Sequence, residues 1–306
     1  MAQQLDPEAA EFLRQLREAG APQPHEGTVQ QARDAHLATA AKLAGPGEQV
    51  TEVRDQRITD VPVRVYRPEG ARGVVVYVHG GGWVVGNIDT YDTLCRALAN
   101  RAEATVVSVD YTLAPDAQHP VQLEQVVGVL DWVRGDAGPA AGEPVAVAGD
   151  SAGGFLAAWA AFEEARAGRP LAAQALIYPA LDPALTTESA QSFARGHYLE
   201  TETMHWYWDL YAPYDSGQGG IDLLADADLG AHASTLAPAL VLTAGFDPLR
   251  DDGRRYVEAL QQAGVEAELL EFPGQIHGFV RFTAVLPQAL VALDQVGAWL
   301  RERLRS

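Results

Sequence analysis

Several residues of this 306-residue chain have types and spacings that suit attack on an acyl carbon. Ser151 lies in Gly149-Asp-Ser-Ala-Gly153, between the apolar run VAVA and the Ala-rich stretch FLAAWAAF. The small residues Gly149 and Gly153 on either side let the chain reverse sharply from a strand into a helix. Such a turn lifts the serine hydroxyl above a sheet and aims the Ala152 N–H and the helix dipole at the same point. Taken alone, the stretch also reads as a plain Gly/Ser turn with Ser151 as helix N-cap. A second motif, His79-Gly-Gly-Gly-Trp83, follows another apolar run, GVVVYV. Consecutive glycines let backbone N–H groups crowd a negative charge without side chains in the way. A phosphate cradle would ask for a following Gly-Lys-Ser/Thr or a G-x-G-x-x-G pattern, and neither is present.

A serine nucleophile needs a base, and the base needs an acid that holds its tautomer and its charge. Downstream of Ser151, Asp247 stands in TAGFDPLRDD after the apolar run APALVLTAG, and His277 stands in FPGQIHGFV after ELLEF. The order Ser, Asp, His is the order expected of a nucleophile elbow with partners at later strand ends. Asp251 and Asp252 compete with Asp247 for the acid role. They read as the first turn of a helix, where carboxylates suit the dipole, and Asp247 is preferred because it comes at the strand end.

These residues require a scaffold that brings strand ends together. Strand-length apolar runs alternate with helical stretches from about residue 50: QVTEVRDQRI and VPVRVYRP as two short strands, then GVVVYV, YDTLCRALANRA, ATVVSVDY, VQLEQVVGVLDWVRGD, PVAVAGD, SAGGFLAAWAAFEEARAG and AAQALIYPA. The alternation resumes with APALVLTAG, DDGRRYVEALQQAG, VEAELLEF and the helix 286–304. Strand–helix–strand units of this kind imply an α/β fold with a mostly parallel sheet covered on both faces. Ligands bind such sheets beyond the carboxyl ends of the strands. Two segments fall outside the alternation. Residues 1–45 read as polar-faced helices broken around Gly20–Pro24, and residues 183–225 as an irregular aromatic stretch with a helix in ETETMHWYWDLY. The expected organisation is a catalytic core of 46–182 and 226–306, with 1–45 and 183–225 as a helical cap.

The set HGGGW, DYTLAP, GDSAGG, DPLRDD and IHGF resembles the hormone-sensitive-lipase-like branch of the α/β-hydrolases, the bacterial family IV esterases. The likeness spans about residues 50–304. It implies an α/β-hydrolase fold and hydrolysis of a small-molecule carboxylic ester without a cofactor. Ser151 would be the nucleophile, His277 the base and then acid, Asp247 the orienting acid, and the N–H groups of Gly81, Gly82 and Ala152 the oxyanion hole. His79 would anchor its loop. The family usually has Arg where Thr112 stands and more commonly Glu where Asp116 stands, which bears on local loop support. A non-catalytic small-molecule receptor on the same scaffold, as in some plant relatives, typically lacks the histidine that IHGF retains. An interfacial lipase would carry a large exposed apolar lid, of which there is no sign.

Other features bound the function further. The net charge of −19 disfavours nucleic acid and anionic lipid as partners. Lys42 is the single lysine among the basic residues. The one cysteine, Cys95, is expected in a helix core. There is no signal-peptide pattern and no apolar run of about 18 residues, so a cytoplasmic protein without a membrane span is expected, as monomer or homodimer. Trp83, Phe246 and Phe279 adjoin the motifs, and Tyr198 and Trp206 lie in the aromatic stretch. These five are candidate substrate contacts, with core packing the alternative. His205 and Asp209 are four residues apart on one helical face, which is too little for a metal site. Asp150 is expected to brace the turn, and His119 to lie in a loop.

Overall fold

A computed structural model describes residues 4–140, 142–213 and 222–305. The strands are β1 (Glu52–Ile58), β2 (Val61–Arg67), β3 (Val74–Val78), β4 (Thr105–Val109), β5 (Val145–Asp150), β6 (Ala173–Ile177), β7 (Ala239–Phe246) and β8 (Ala267–Ile276). They form one sheet in the order β1-β2-β4-β3-β5-β6-β7-β8. The β1/β2 and β2/β4 pairs are antiparallel, and every pair from β4/β3 to β7/β8 is parallel. The tight turn between Ile58 and Val61 permits an antiparallel pair, whereas each connection from β3 onward carries a helix and returns parallel.

The helices are α1 (Pro7–Ala19), α2 (Val29–Ala44), α3 (Asp92–Ala102), α4 (Val121–Arg134), α5 (Ala152–Arg166), α6 (Glu188–Ser192), α7 (Thr201–Tyr211), α8 (Leu223–Asp226), α9 (Arg250–Gln262) and α10 (Gln288–Arg303). Strand residues alternate between two cores because successive side chains point to opposite faces. On β3, Val74, Val76 and Val78 join Leu123, Phe155 and Tyr256, from α4, α5 and α9, while Val75 and Tyr77 join Leu98, Val296 and Leu300, from α3 and α10. β3, β4, β5 and β6 are buried along their whole length, as central strands covered on both faces must be.

The two segments outside the alternation behave differently. α1 and α2 precede the sheet, and their anchors are specific. Asp6 N–H donates to the Gly274 carbonyl at 2.9 Å, and Gln275 Nε2 donates to the Asp6 carboxylate at 2.7 Å. Between β6 and β7 lie α6, α7 and α8; the 214–221 part of the expected insertion 183–225 lies outside the described residues. α7 buries Met204, Tyr207, Trp208 and Tyr211, an i, i+3, i+4, i+7 stripe, and leaves His205 and Asp209 exposed. Cys95 is fully buried in α3. No helix among the described residues is long and apolar enough to cross a membrane.

Candidate active site

Ser151 sits between the end of β5 and the start of α5, with φ 54° and ψ −120°. A side chain at positive φ is strained, and here the surroundings hold it there. The Ser151 N–H donates to the Ile177 carbonyl at 2.8 Å, and its own carbonyl accepts from Phe155 at 3.1 Å and Ala180 at 3.2 Å. The flanking glycines are obligatory for space. A Cβ on Gly149 would lie 2.3 Å from the Gly153 carbonyl oxygen, and one on Gly153 would lie 2.1 Å from the Val78 carbonyl oxygen. The first turn of α5 therefore packs backbone to backbone against the end of β3, where the HGGGW loop begins.

β7 ends at Phe246 and β8 at Ile276, so Asp247 and His277 are each the first residue past a parallel strand. His277 Nε2 lies 3.0 Å from Ser151 Oγ, and His277 Nδ1 lies 2.7 Å from Asp247 Oδ2. The carboxylate requires the proton on Nδ1, which leaves Nε2 as the acceptor for the serine hydroxyl. The Leu249 N–H donates to the other Asp247 oxygen at 2.8 Å. Asp247 is fully buried, while Ser151 and His277 each keep 6% of their surface. Asp251 and Asp252 lie in the first turn of α9. Asp251 accepts from the Ser189 N–H, and Asp252 from the N–H groups of Leu181 and Asp182. Burial pushes the Asp252 carboxyl up to about 8, against the two backbone bonds that pull it down.

The HGGGW loop is folded for close approach. Gly81 has φ 110° and a Cβ there would meet the Val85 carbonyl oxygen at 2.1 Å; Gly82 has φ 58° and a Cβ there would meet the Tyr207 ring at 2.2 Å. α7 thus lies directly on the loop. Among the described residues, the N–H groups of Gly81, Gly82 and Ala152 donate to no protein acceptor. His79 is fully buried, its Nδ1–H donates to the Gly80 carbonyl at 2.7 Å, and its ring stacks on Tyr111 at 4.3 Å. Burial pushes it down to about 4, so it is neutral at pH 7. Asp150 accepts from the Gly80 N–H at 2.9 Å and from the hydroxyls of Tyr77 at 2.9 Å and Tyr91 at 3.0 Å. The elbow and the glycine loop are tied together through that carboxylate.

The five aromatic candidates separate by exposure. Trp83 and Phe279 are fully buried. Trp83 stacks on Tyr211 at 4.4 Å and packs on Trp208 and Phe155, and Phe279 packs on Phe272 and Tyr178. Phe246, Tyr198 and Trp206 are half-buried. Phe246 lies in an aromatic group with Phe193 and His197, and Tyr198 touches Phe12 and Phe282. His119 lies in the loop before α4, as expected, and is buried there, with its N–H on the Tyr211 carbonyl and Nδ1 3.1 Å from the Tyr211 hydroxyl.

Supporting residues came from parts of the chain with no local signal. Arg33 on α2 donates to the carbonyls of Val84 and Ala114, each at 3.0 Å, and pairs with Asp116 at 2.9 Å. Thr112 exchanges hydrogen bonds with Gln125, through its N–H at 2.8 Å and its hydroxyl at 2.9 Å. These contacts support the loop at Thr112 and Asp116, the two positions at and just after DYTLAP. His25 reaches Thr203 of α7 at 2.8 Å.

The chain matches a family described as having the α/β-hydrolase fold over residues 75–281. It is 35% identical to the ethyl acetate hydrolase of Pseudomonas putida, across 98% of this chain and 99% of that protein. It is 38% identical to the carboxylesterase NlhH of Mycobacterium tuberculosis, across 87% and 88%. The crystal structure of an α/β-hydrolase enzyme from the metagenome of Lake Arreo superposes with a TM-score of 0.90 at 34% identity, covering all of both chains. The chain belongs to the α/β-hydrolase-fold family, in its hormone-sensitive-lipase-like branch of carboxylic ester hydrolases.

Proposed function

We propose that the protein is a serine carboxylesterase acting on short- to medium-chain or aromatic esters through an acyl-enzyme. The observation that carries this is the unbroken relay from Asp247 through His277 to Ser151, at 2.7 and 3.0 Å, beside free N–H groups. Ser151 Oγ attacks the ester carbonyl as its proton passes to His277 Nε2. The negative charge formed on the carbonyl oxygen is held by the N–H groups of Gly81, Gly82 and Ala152. Donors fixed in advance cost no reorganisation at the moment of reaction, and each is worth about 3 kcal/mol of barrier. His277 then gives its proton to the leaving alcohol, and Asp247 stabilises the transient imidazolium. Water repeats the sequence on the acyl-enzyme. Residues 1–45 and 183–225 act as the cap. Gly82 under Tyr207 marks where the cap meets the reacting centre, and the half-buried Phe246, Tyr198 and Trp206 border the space left for substrate.

The test is a kinetic profile over p-nitrophenyl esters of increasing chain length, with wild type and Ser151→Ala. Wild type should hydrolyse the short esters best, and Ser151→Ala should lose about 10⁵-fold or more in kcat while its melting temperature holds. Retained burst kinetics in Ser151→Ala would exclude this nucleophile. An amidolytic or lactone-opening preference with the same serine would show instead as faster turnover of matched amides, carbamates or lactones.

A further inference from the structure

Behind the glycine loop lies a second polar cluster that the proposed reaction does not use. Asp150 is buried at the end of β5 with three donors on its carboxylate: Gly80 N–H, Tyr77 hydroxyl and Tyr91 hydroxyl. The Tyr91 ring carries the Arg281 guanidinium over its face at 5.1 Å. Arg281 follows His277 by four residues, in a single 3-10 turn at Phe279–Arg281. Its far side donates to His36 Nε2 of α2 at 3.1 Å. Burial and the neighbouring Arg281 charge both push His36 well down, so His36 is the neutral acceptor in that bond. One arginine therefore touches α2 and the ring whose hydroxyl holds Asp150, on the same loop that carries His277.

A buried carboxylate without a nearby cation is costly and tends to take up a proton. The groups that face Asp150 are Tyr77 from β3, Tyr91 and Cys95 from the start of α3 and its first turns, Tyr111 after β4, Tyr178 after β6 and Arg281 after β8. Of these only Arg281 carries positive charge. We infer that Arg281 is a positioning residue: it keeps Asp150 ionised, and the ionised carboxylate grips the Gly80 N–H and sets the glycine loop against Ser151. The consequence for catalysis rests on that loop being the oxyanion hole. Burial already pushes the Asp150 carboxyl up, and Arg281 is the largest influence pulling it back down. Removing Arg281 raises it further. As pH falls through the raised value Asp150 takes up a proton, and a neutral carboxyl accepts from Gly80 with roughly half the strength of a charged one.

The experiment combines kinetics on p-nitrophenyl acetate with the amide resonance of Gly80 in ¹⁵N-glycine-labelled protein, for wild type, Arg281→Met and Arg281→Lys. In Arg281→Met, kcat should fall by up to about tenfold with KM nearly unchanged, a fraction of the loss from deleting a donor outright. The acid limb of kcat should move to higher pH, and the Gly80 resonance should titrate along with it. Arg281→Lys should restore most of both. Tyr91→Phe, which removes one hydroxyl at little cost in volume, should shift limb and resonance the same way by less, and it serves if Arg281→Met does not fold. A Gly80 resonance as insensitive to pH in Arg281→Met as in wild type overturns the inference, as does a loss confined to KM. A titrating Gly80 with unchanged kcat upholds the link from Arg281 to Gly80 and overturns the oxyanion role of the loop instead.

Discussion

β5 and β7 each end at the same sheet edge with a buried aspartate, and the two aspartates have different surroundings. Asp247, just past β7, accepts from one backbone N–H and from an imidazole that is itself in contact with Ser151. Asp150, the last residue of β5, accepts from two phenols and one backbone N–H. Phenols far from their titration range give a carboxylate fixed partners, whereas an imidazole gives it a partner that can take up and release a proton. Residue type, burial and place in the sheet are shared, so under the proposed reaction the hydrogen-bond partner alone separates the aspartate that would orient the base from the one that braces the loop. That difference is open to a direct test. Asp247→Asn should lower kcat by about 10⁴-fold, because an amide stabilises the wrong tautomer of His277 and cannot balance its cation. Asp150→Asn keeps an acceptor for Gly80 and should cost only about tenfold. Equal losses in the two variants, measured on one p-nitrophenyl ester at one pH, would erase the distinction.

The contrast extends to the two loops that these aspartates support. The glycine loop under α7 has no spare room, since a Cβ on Gly82 would lie 2.2 Å from the Tyr207 ring at a φ of 58°. Gly82→Ala should therefore displace either the loop or α7 and lower kcat/KM by about a hundredfold or more. Trimming the ring as well, in Gly82→Ala with Tyr207→Ala, should recover part of the loss. No recovery would mean that the left-handed backbone at Gly82, and not the contact with α7, sets the requirement for glycine.

Much of this site was legible in the sequence because its parts are local. Gly149 and Gly153, the glycine run at 80–82, and the strand ends before Asp247 and His277 each announce themselves within a few residues, and a parallel sheet brings strand ends together without further instruction. The α7 stripe was half legible, since an aromatic-rich helix must bury one face but its sequence does not say against what. Contacts made across the chain were not legible. Arg33, Asp6 and Arg281 reach the site from elements whose own patterns look like ordinary amphipathic helix or loop. The placement of β4 between β2 and β3 is likewise a matter of crossover, which no window of residues records.

Asp252 supplies a third buried carboxylate, one with neither a titrating hydrogen-bond partner nor a cation on it among the described residues. Burial holds it up at about 8, with both backbone donors on a single oxygen and the other oxygen without a partner among the described residues. Its folded value lies above the unfolded value near 4, so the folded state binds the extra proton between those limits. The stabilising contribution is fully present below about pH 4 and is lost as pH rises through about 8. Asp252→Asn cannot titrate. The stability of wild type relative to Asp252→Asn, measured by urea unfolding, should fall by a few kcal/mol from pH 4 to pH 8. A flat difference would show that Asp252 titrates alike in the folded and the unfolded chain.

The smallest expected effect concerns the outer brace of the glycine loop. Arg33 holds the carbonyls of Val84 and Ala114 from α2, and its ion pair with Asp116 has one half-exposed and one exposed member. The exposed pair is worth little, so the two charge-assisted bonds to backbone carbonyls dominate. Arg33→Ala should cost about 1–3 kcal/mol of stability, because two carbonyls lose a charged donor. Its effect on kcat should be a few-fold, well below that of Asp150→Asn, since Gly80 and Gly82 keep their inner contacts with Asp150 and Tyr207. Arg33→Lys should regain less than half of the stability, as one ammonium cannot span both carbonyls as the guanidinium fork does. A kcat loss from Arg33→Ala as large as that from Asp150→Asn would mean that α2, and not the end of β5, sets the position of the loop.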